Sequence, residues 1–368
     1  MQSENWWKKE NMKDFRAIVA KFQIEDVFIE ARPLGHGAIN DTYEIVCEND
    51  HYVLQEINRM VFKHPADVMN NLFAVTEHLK KKIEEEGGDP KRETLEYIRT
   101  KEGNTMHQTP EKSYYRMYRM IQDAEAMERM ETEECAEHAA QAFGKFQKRM
   151  ADFDSSRLSE TLPRYHDTRY QMKQLLNAIR ADVCGRASAC QPQIMFVLER
   201  SEKLGMIKEA MKAGQIPVRV THNDTKCSNV LMKKSTKQAV CVIDLDTVMP
   251  GCALYDYGDA IRSGASVQRE DGTAGLDLSM FEAYTRGYLS EMKDSLTVRE
   301  KELMAYSAWV MTMECGIRYL TDYLSGDVHF THGETEDANL KKAIRQFQVV
   351  LDMEHKKEKM EEIIRRYF

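Results

Sequence analysis

The tightest constraint on the fold lies in the stretch THNDTKCSNVLM, residues 221–232, and in the apolar run AVCVIDLDTVMPG that follows it. The first stretch gathers His222, Asn223, Asp224, Lys226 and Asn229 directly after the apolar-rich IPVRV. The second carries an apolar run onto Asp244 and then Asp246. Short extended segments are expected at 218–220, 229–232 and 239–243, so the polar residues fall on a loop between strands. A buried apolar strand that ends in a carboxylate is unfavourable unless a cation or a donor meets it.

Three readings compete for the loop. Asn, Asp, Ser and Thr favour turns by bonding their own backbone. A metal site is poorly supported by one His with no partner His or Cys nearby. The third reading is phosphoryl transfer, in which an Asp and an Asn five positions later share a loop between two short strands, and a later Asp holds the metal. Asp224, Asn229 and Asp244 have that order and spacing. The chemistry explains the residue types. Charge spreads over the oxygens of the group in transfer, so positioning and neutralisation do most of the work. Asp224 is expected to orient the acceptor hydroxyl and take its proton. Asn229 and Asp244 are expected to hold magnesium through oxygen, the ligand atom this hard cation prefers.

The front of the chain answers less clearly. GHGAIND places Gly35 and Gly37 between two expected strands, where a plain turn competes with a loop that covers phosphates. Asn40 stands where protein kinases carry a third Gly. The next strand, YVLQEIN, has Gln55 where a Lys is expected. Arg59 or Lys63 is an alternative cation. Glu77 is a candidate partner carboxylate or an exposed helix charge. Met120 and Ile121, in the segment expected to link two lobes, are the candidates for adenine contact.

The 368 residues suit two lobes sharing a cleft. Strands and one helix over 65–86 fill the front, with SYYRMYRMI as a central strand. Helices are expected over 133–150, 168–183, 193–213, 281–291, 298–324 and 339–366. The fold class is therefore α+β, with a strand-rich N-terminal lobe over 1–122 and a larger, mainly helical lobe over 123–368. A formal net charge of -8 argues against broad nucleic-acid or anionic-membrane binding. No apolar run approaches a membrane span, and no signal-peptide core opens the chain. The eight Cys form no CxxC pair, which fits reduced thiols in a cytoplasmic protein. Nothing in the sequence fixes an oligomeric state.

HNDxxxxN followed by VIDLD resembles the aminoglycoside phosphotransferase superfamily of small-molecule kinases. GHGAINDTY, YVLQEIN, THNDTKCSNVLM, CVIDLDTVMPG, YDYGDAIRSGAS and RYLTDYLSGDVHF together look like the bacterial N-acetylhexosamine 1-kinases within it. The resemblance spans 35–330. It implies a bilobal protein-kinase-like fold, ATP and magnesium. It also implies phosphorylation of N-acetylglucosamine or N-acetylgalactosamine at the anomeric hydroxyl. Carried over by motif, Asp224 is the base and Asn229 and Asp244 are metal ligands, with Asp246 assisting. VLQ-x-IN is itself a family pattern, which accommodates Gln55. Arg318 matches a sugar-contacting residue, although a structural Arg paired with a carboxylate explains it equally well. His329 replaces an expected Tyr, and Cys227-Ser228 also depart from the pattern; both bear on acceptor preference. Asp256 and Asp259 are expected to start a helix and brace the catalytic loop. The alternatives are a kinase of another small hydroxyl compound (an aminoglycoside, an amino alcohol or homoserine) and a nucleotide-binding regulator without catalysis.

Overall fold

A computed structural model describes residues 13–35, 39–330 and 335–368. The chain divides into two compact units. The first is Met1–Asp123 with Arg157–Thr161, and the second is Ala124–Ser156 with Leu162–Phe368. The short return of 157–161 to the first unit was not expected from the sequence. It rests on a reciprocal pair in which Asn71 donates to the Ser159 carbonyl (2.8 Å) and accepts from the Ser159 amide (2.9 Å).

The first unit opens with α1 (Phe15–Val19) and β1 (Phe28–Pro33). β2 (Asp41–Cys47) and β3 (His51–Glu56) follow as an antiparallel pair. Along β2 every second residue, Tyr43, Ile45 and Cys47, is buried, as a half-covered strand requires. Asp26 fixes the turn between them by accepting from the amides of Asn49 (3.1 Å) and Asp50 (2.9 Å). α2 (Pro65–Glu85) begins with Pro in its first turn and buries Val68, Leu72, Val75 and Leu79. α3 (Pro90–Glu93), β4 (Tyr97–Ile98), β5 (His107–Gln108) and β6 (Tyr114–Arg119) complete the unit. The sheet runs β1-β2-β3-β6-β4, with β5 also on β6, so the expected central strand is interior.

The second unit begins with β7 (Ala124–Ala126) and α4 (Glu133–Arg149). Thr132 caps α4 by accepting from the Cys135 amide (3.2 Å), and the helix buries Ala136, Ala139, Ala140, Phe143 and Phe146. α5 (Thr168–Ala181) comes next. The helix expected over 193–213 is instead two, α6 (Gln191–Leu198) and α7 (Met206–Lys212). The Ser201 hydroxyl donates to the last carbonyl of α6 (2.7 Å), and Gly205 turns the chain at φ 90°. A side chain there would strike Arg169, so the break is built in by a close approach that periodicity does not reveal.

Four strands carry the loop of interest: β8 (Arg219–Thr221), β9 (Val230–Lys233), β10 (Ala239–Val242) and β11 (Met249–Gly251). β11 pairs with β8, and β7 and β10 flank β9. Then come α8 (Ala253–Gly264), the hairpin β12 (Ser266–Gln268) and β13 (Ala274–Leu276), α9 (Leu278–Met292), α10 (Val298–Leu324), α11 (Ala338–His355) and α12 (Lys357–Arg365). β7, β11, β12 and β13 were not expected, because three residues are too few to show a period of two. The helix expected over 339–366 turns at Lys356, whose ammonium donates to the Leu276 carbonyl (2.7 Å). Trp309, Tyr257, Tyr284 and the buried faces of α8, α9, α10 and α11 share one apolar core.

Candidate active site

The loop after β8 is held through its backbone amides by two carboxylates from α8. The His222 and Asn223 amides donate to the two oxygens of Asp256 (3.0 and 2.7 Å), and the Thr225 amide donates to Asp259 (3.0 Å). Both carboxylates project from α8, so the bracing expected of YDYGDAIR is present. Asp256 is 1% exposed and also accepts from Gln147. Burial pushes its carboxyl above the ordinary value although these donors pull the other way. Asn223 sits at φ 66°, a region that Asn tolerates, and its side chain ties the Thr221 and Thr247 carbonyls together. His222 is a structural ring. Its Nε2 meets the Ile243 carbonyl (2.9 Å), its Nδ1 accepts from the Asp224 amide (3.3 Å), and Phe143 and Phe146 flank it edge-on.

These bonds present Asp224, whose side chain keeps 23% of its surface exposed. Lys226, in the same motif but given no role from sequence, donates to Asp224 Oδ2 at 2.9 Å. Asn229 donates to Asp224 Oδ2 (3.1 Å) and to its carbonyl (2.7 Å). Burial pushes the Asp224 carboxyl up, but Lys226 foremost, with His222 and then Arg262 behind it, outweighs it and holds the group below its ordinary value. Arg262 is itself paired with Asp259 (2.8 Å).

Asn229 spends its amide nitrogen on Asp224, which leaves Oδ1 as its remaining acceptor. Asp244 is brought alongside because the Ile243 amide donates to the Asn229 carbonyl (2.9 Å). Asp244 adopts φ 58°, an uncommon conformation that a turn or a functional constraint must hold. Asp246 follows, 3% exposed, in a single turn of helix. Among the described residues no three His, Cys, Asp or Glu side chains form a metal site by themselves. Two oxygen donors on adjoining segments fit a hard cation that draws its other ligands from phosphate and water.

Arg318 lies on α10 with its guanidinium 4.8 Å over the Tyr165 ring and 5.6 Å over the Phe330 ring. Burial lowers the Arg318 pKa, but Tyr165 and Glu314 reverse that and hold it above the ordinary value. His329 is exposed, and its place is set through the backbone: Asp322 accepts from the amides of Val328, His329 and Phe330 (2.9–3.0 Å).

In the first unit, Gly35 stands at φ 67°, while Gly37 lies outside the described residues. Asn40 is buried and accepts from the Asn58 amide (3.0 Å), which anchors the end of the glycine-bearing loop. Gln55 is fully engaged. Its Oε1 accepts from Arg116 Nε (2.9 Å) and Nη2 (2.7 Å), and its Nε2 donates to Thr42 (3.1 Å). Arg116, 1% exposed on β6, is therefore the cation beside the position where Lys was expected. Sequence reading missed it because cross-strand pairing is needed to bring Arg116 opposite Gln55. Arg59 stacks over Tyr114 (5.3 Å), and Glu77 is exposed on α2. Met120 donates its amide to the His51 carbonyl (2.9 Å), and Ile121 is buried where the first unit ends.

Several solved structures are similar. A microcompartment-associated aminopropanol kinase shares 14% identity over 94% of this chain and 97% of its own, with a TM-score of 0.58. An amicoumacin kinase, in complex with AMP-PNP, Ca2+ and Ami, shares 12% over 93% and 95%, with a TM-score of 0.59. A spectinomycin phosphotransferase, in complex with ADP and spectinomycin, shares 14% over 90% and 94%, with a TM-score of 0.55. At these identities the likeness speaks for the fold, a strand-rich unit followed by a mainly helical one. The model of the phosphotransferase enzyme family matches residues 30–296, well over half of the chain and every motif from β2 to α9. The chain belongs to that phosphotransferase family.

Proposed function

We propose that this phosphotransferase moves the γ-phosphoryl group of ATP to the anomeric hydroxyl of an N-acetylhexosamine and releases the sugar 1-phosphate and ADP. Asp224 accepts the proton of the attacking hydroxyl, and its depressed pKa keeps it ionised for that role at neutral pH. Asn229 and Asp244, assisted by Asp246, would hold magnesium, which would neutralise charge on the phosphates. Lys226 keeps the Asp224 carboxylate aimed. The glycine-bearing loop with Gly35 and Gly37, the Asn40 anchor, Gln55 with Arg116, and the Met120–Ile121 segment serve the nucleotide.

The observation that supports the acceptor assignment is Arg318, whose guanidinium lies over the Tyr165 and Phe330 rings. A neutral acetylated sugar offers hydroxyl and carbonyl oxygens to Arg318 and an apolar face to the rings. Arg318 and His329 are assigned to that contact.

The test is ADP release with magnesium and ATP against N-acetylglucosamine, N-acetylgalactosamine, glucose, an aminoglycoside, choline and homoserine. Turnover on the acetylated sugars, with phosphate at C1, is the expected result. Turnover confined to a cationic acceptor overturns the sugar assignment. The Asp224→Asn variant is expected to lose about 100-fold or more of turnover while it still binds ATP. Wild-type turnover in that variant removes Asp224 from the role of base.

A further inference from the structure

His166 lies in the loop before α5, far in sequence from every motif discussed above. Its Nδ1 is 3.0 Å from Glu314 Oε1, and its Nε2 is 3.2 Å from the carbonyl oxygen of Asn223. Glu314, on α10, is 1% exposed and also accepts from the Thr168 hydroxyl (2.7 Å). The His166 side chain is 6% exposed. Tyr165 and Tyr255 enclose it, with ring centroids 4.5 and 5.0 Å away. Arg318 also lies over the Tyr165 ring.

Both partners of the imidazole are acceptors. An N–H on Nε2 donates to the Asn223 carbonyl and an N–H on Nδ1 to Glu314, so each ring nitrogen has a buried acceptor to meet. The second acceptor is the peptide oxygen between Asn223 and Asp224. That peptide follows a residue at φ 66°, so it has no helix or strand to hold it. The N–H of that peptide, the Asp224 amide, donates to His222 Nδ1 (3.3 Å), and His166 fixes its carbonyl, while Asp256 holds the preceding peptide through the Asn223 amide.

We propose that His166 is a positioning residue: it clamps the carbonyl of the Asn223–Asp224 peptide, whose N–H is held by His222, and so sets the direction in which the Asp224 carboxylate points. The proposal rests on the role of Asp224 given above. Glu314 and Thr168 orient the imidazole, and the ring passes that order to the loop without touching substrate.

Two near-isosteres separate this from a purely structural role. In His166→Asn the amide nitrogen falls near the place of Nδ1 and keeps the bond to Glu314 but loses the one to Asn223. In His166→Gln it falls near Nε2 and keeps the bond to Asn223. The expected result is a kcat fall of about 10- to 100-fold in H166N, with KM for ATP within about threefold, and a distinctly smaller fall in H166Q. A misplaced carboxylate costs rate more than ground-state binding. Equal losses in the two variants, or a larger loss in H166Q, overturn the proposal. A readout independent of turnover is the crystal structure of H166N. The Asn223 peptide is expected to rotate and the Asp224 carboxylate to leave Lys226. An unmoved Asp224 overturns the proposal whatever the acceptor proves to be.

Discussion

At the residue scale the proposed chemistry turns on Asp224 and Lys226. The carboxylate is half-enclosed, and without a cation its burial would raise its pKa. Lys226 reverses the sign. Asp224 therefore ionises below its ordinary value of 3.8, and the stabilisation from the pair is present above that value and lost as pH falls through the folded one. Lys226→Met removes the dominant counter-charge. The acid limb of the kcat/KM profile is expected to move to higher pH, and kcat at neutral pH to fall about tenfold. An acid limb that stays in place shows that another group sets it. The contact between Asp224 and Asn229 was legible in the sequence because one short loop carries both. Lys226 lay inside the same motif and was passed over because it has no counterpart among the roles assigned by spacing. Arg116 and the pair of His166 with Glu314, 148 residues apart, were not legible at all. Both depend on which strand or helix lies beside which, and local periodicity carries no such information.

The elements turn these residues into a site, and α8 does most of it. Its first turn offers Asp256 and its second Asp259, so the helix holds the loop by two carboxylates one turn apart. That requires α8 to sit deep, and Gly258 allows it. A Cβ at Gly258 would lie 2.5 Å from the Ser307 carbonyl and 2.7 Å from Met311 Cγ on α10. Both helices would have to move apart. Gly258→Ala is expected to cost about 1–3 kcal/mol despite its better helix propensity, and to lower kcat because Asp256 and Asp259 move with the helix. Urea unfolding measures the first effect. A variant as stable as the parent contradicts the close approach. The sequence announced α8 and its carboxylates, whereas the close approach of α10 at Gly258 was not legible in it. The long helix α10 was legible to its ends because Thr297 and Glu300 form a capping box ahead of a sustained apolar pattern. The breaks at Gly205 and Lys356 were hidden, since tertiary contacts make them and the flanking pattern continues across them.

For the whole molecule, the division into two units with their own apolar cores has an energetic consequence. The first core is much the smaller, so its unit is expected to open at lower free energy than the second. One polar brace helps to hold it. Lys13, at the start of α1, donates to Tyr43 (2.9 Å) and pairs with Glu56 (2.8 Å), which also accepts from Ser113 (2.6 Å) and Tyr115 (3.0 Å). Burial lowers the Lys13 pKa, but Glu56 and Tyr43 outweigh it and raise it above 10.5. Burial likewise raises the Glu56 pKa, and Lys13 with Ser113 brings it below 4.5. The lysine term is complete below its ordinary value and lost as pH rises past the folded one. The carboxylate term is complete above its ordinary value and lost as pH falls. The brace is therefore intact across the neutral range. Lys13→Met is expected to destabilise the first unit by about 1–2 kcal/mol, a value reduced by the partial exposure of both partners. Hydrogen exchange at neutral pH reads this directly: peptides from β2, β3 and β6 should exchange faster, while those from α9 and α10 keep their rates. Equal acceleration in both sets means that the chain opens as one cooperative body, and the two cores would then have to be treated as a single folding unit.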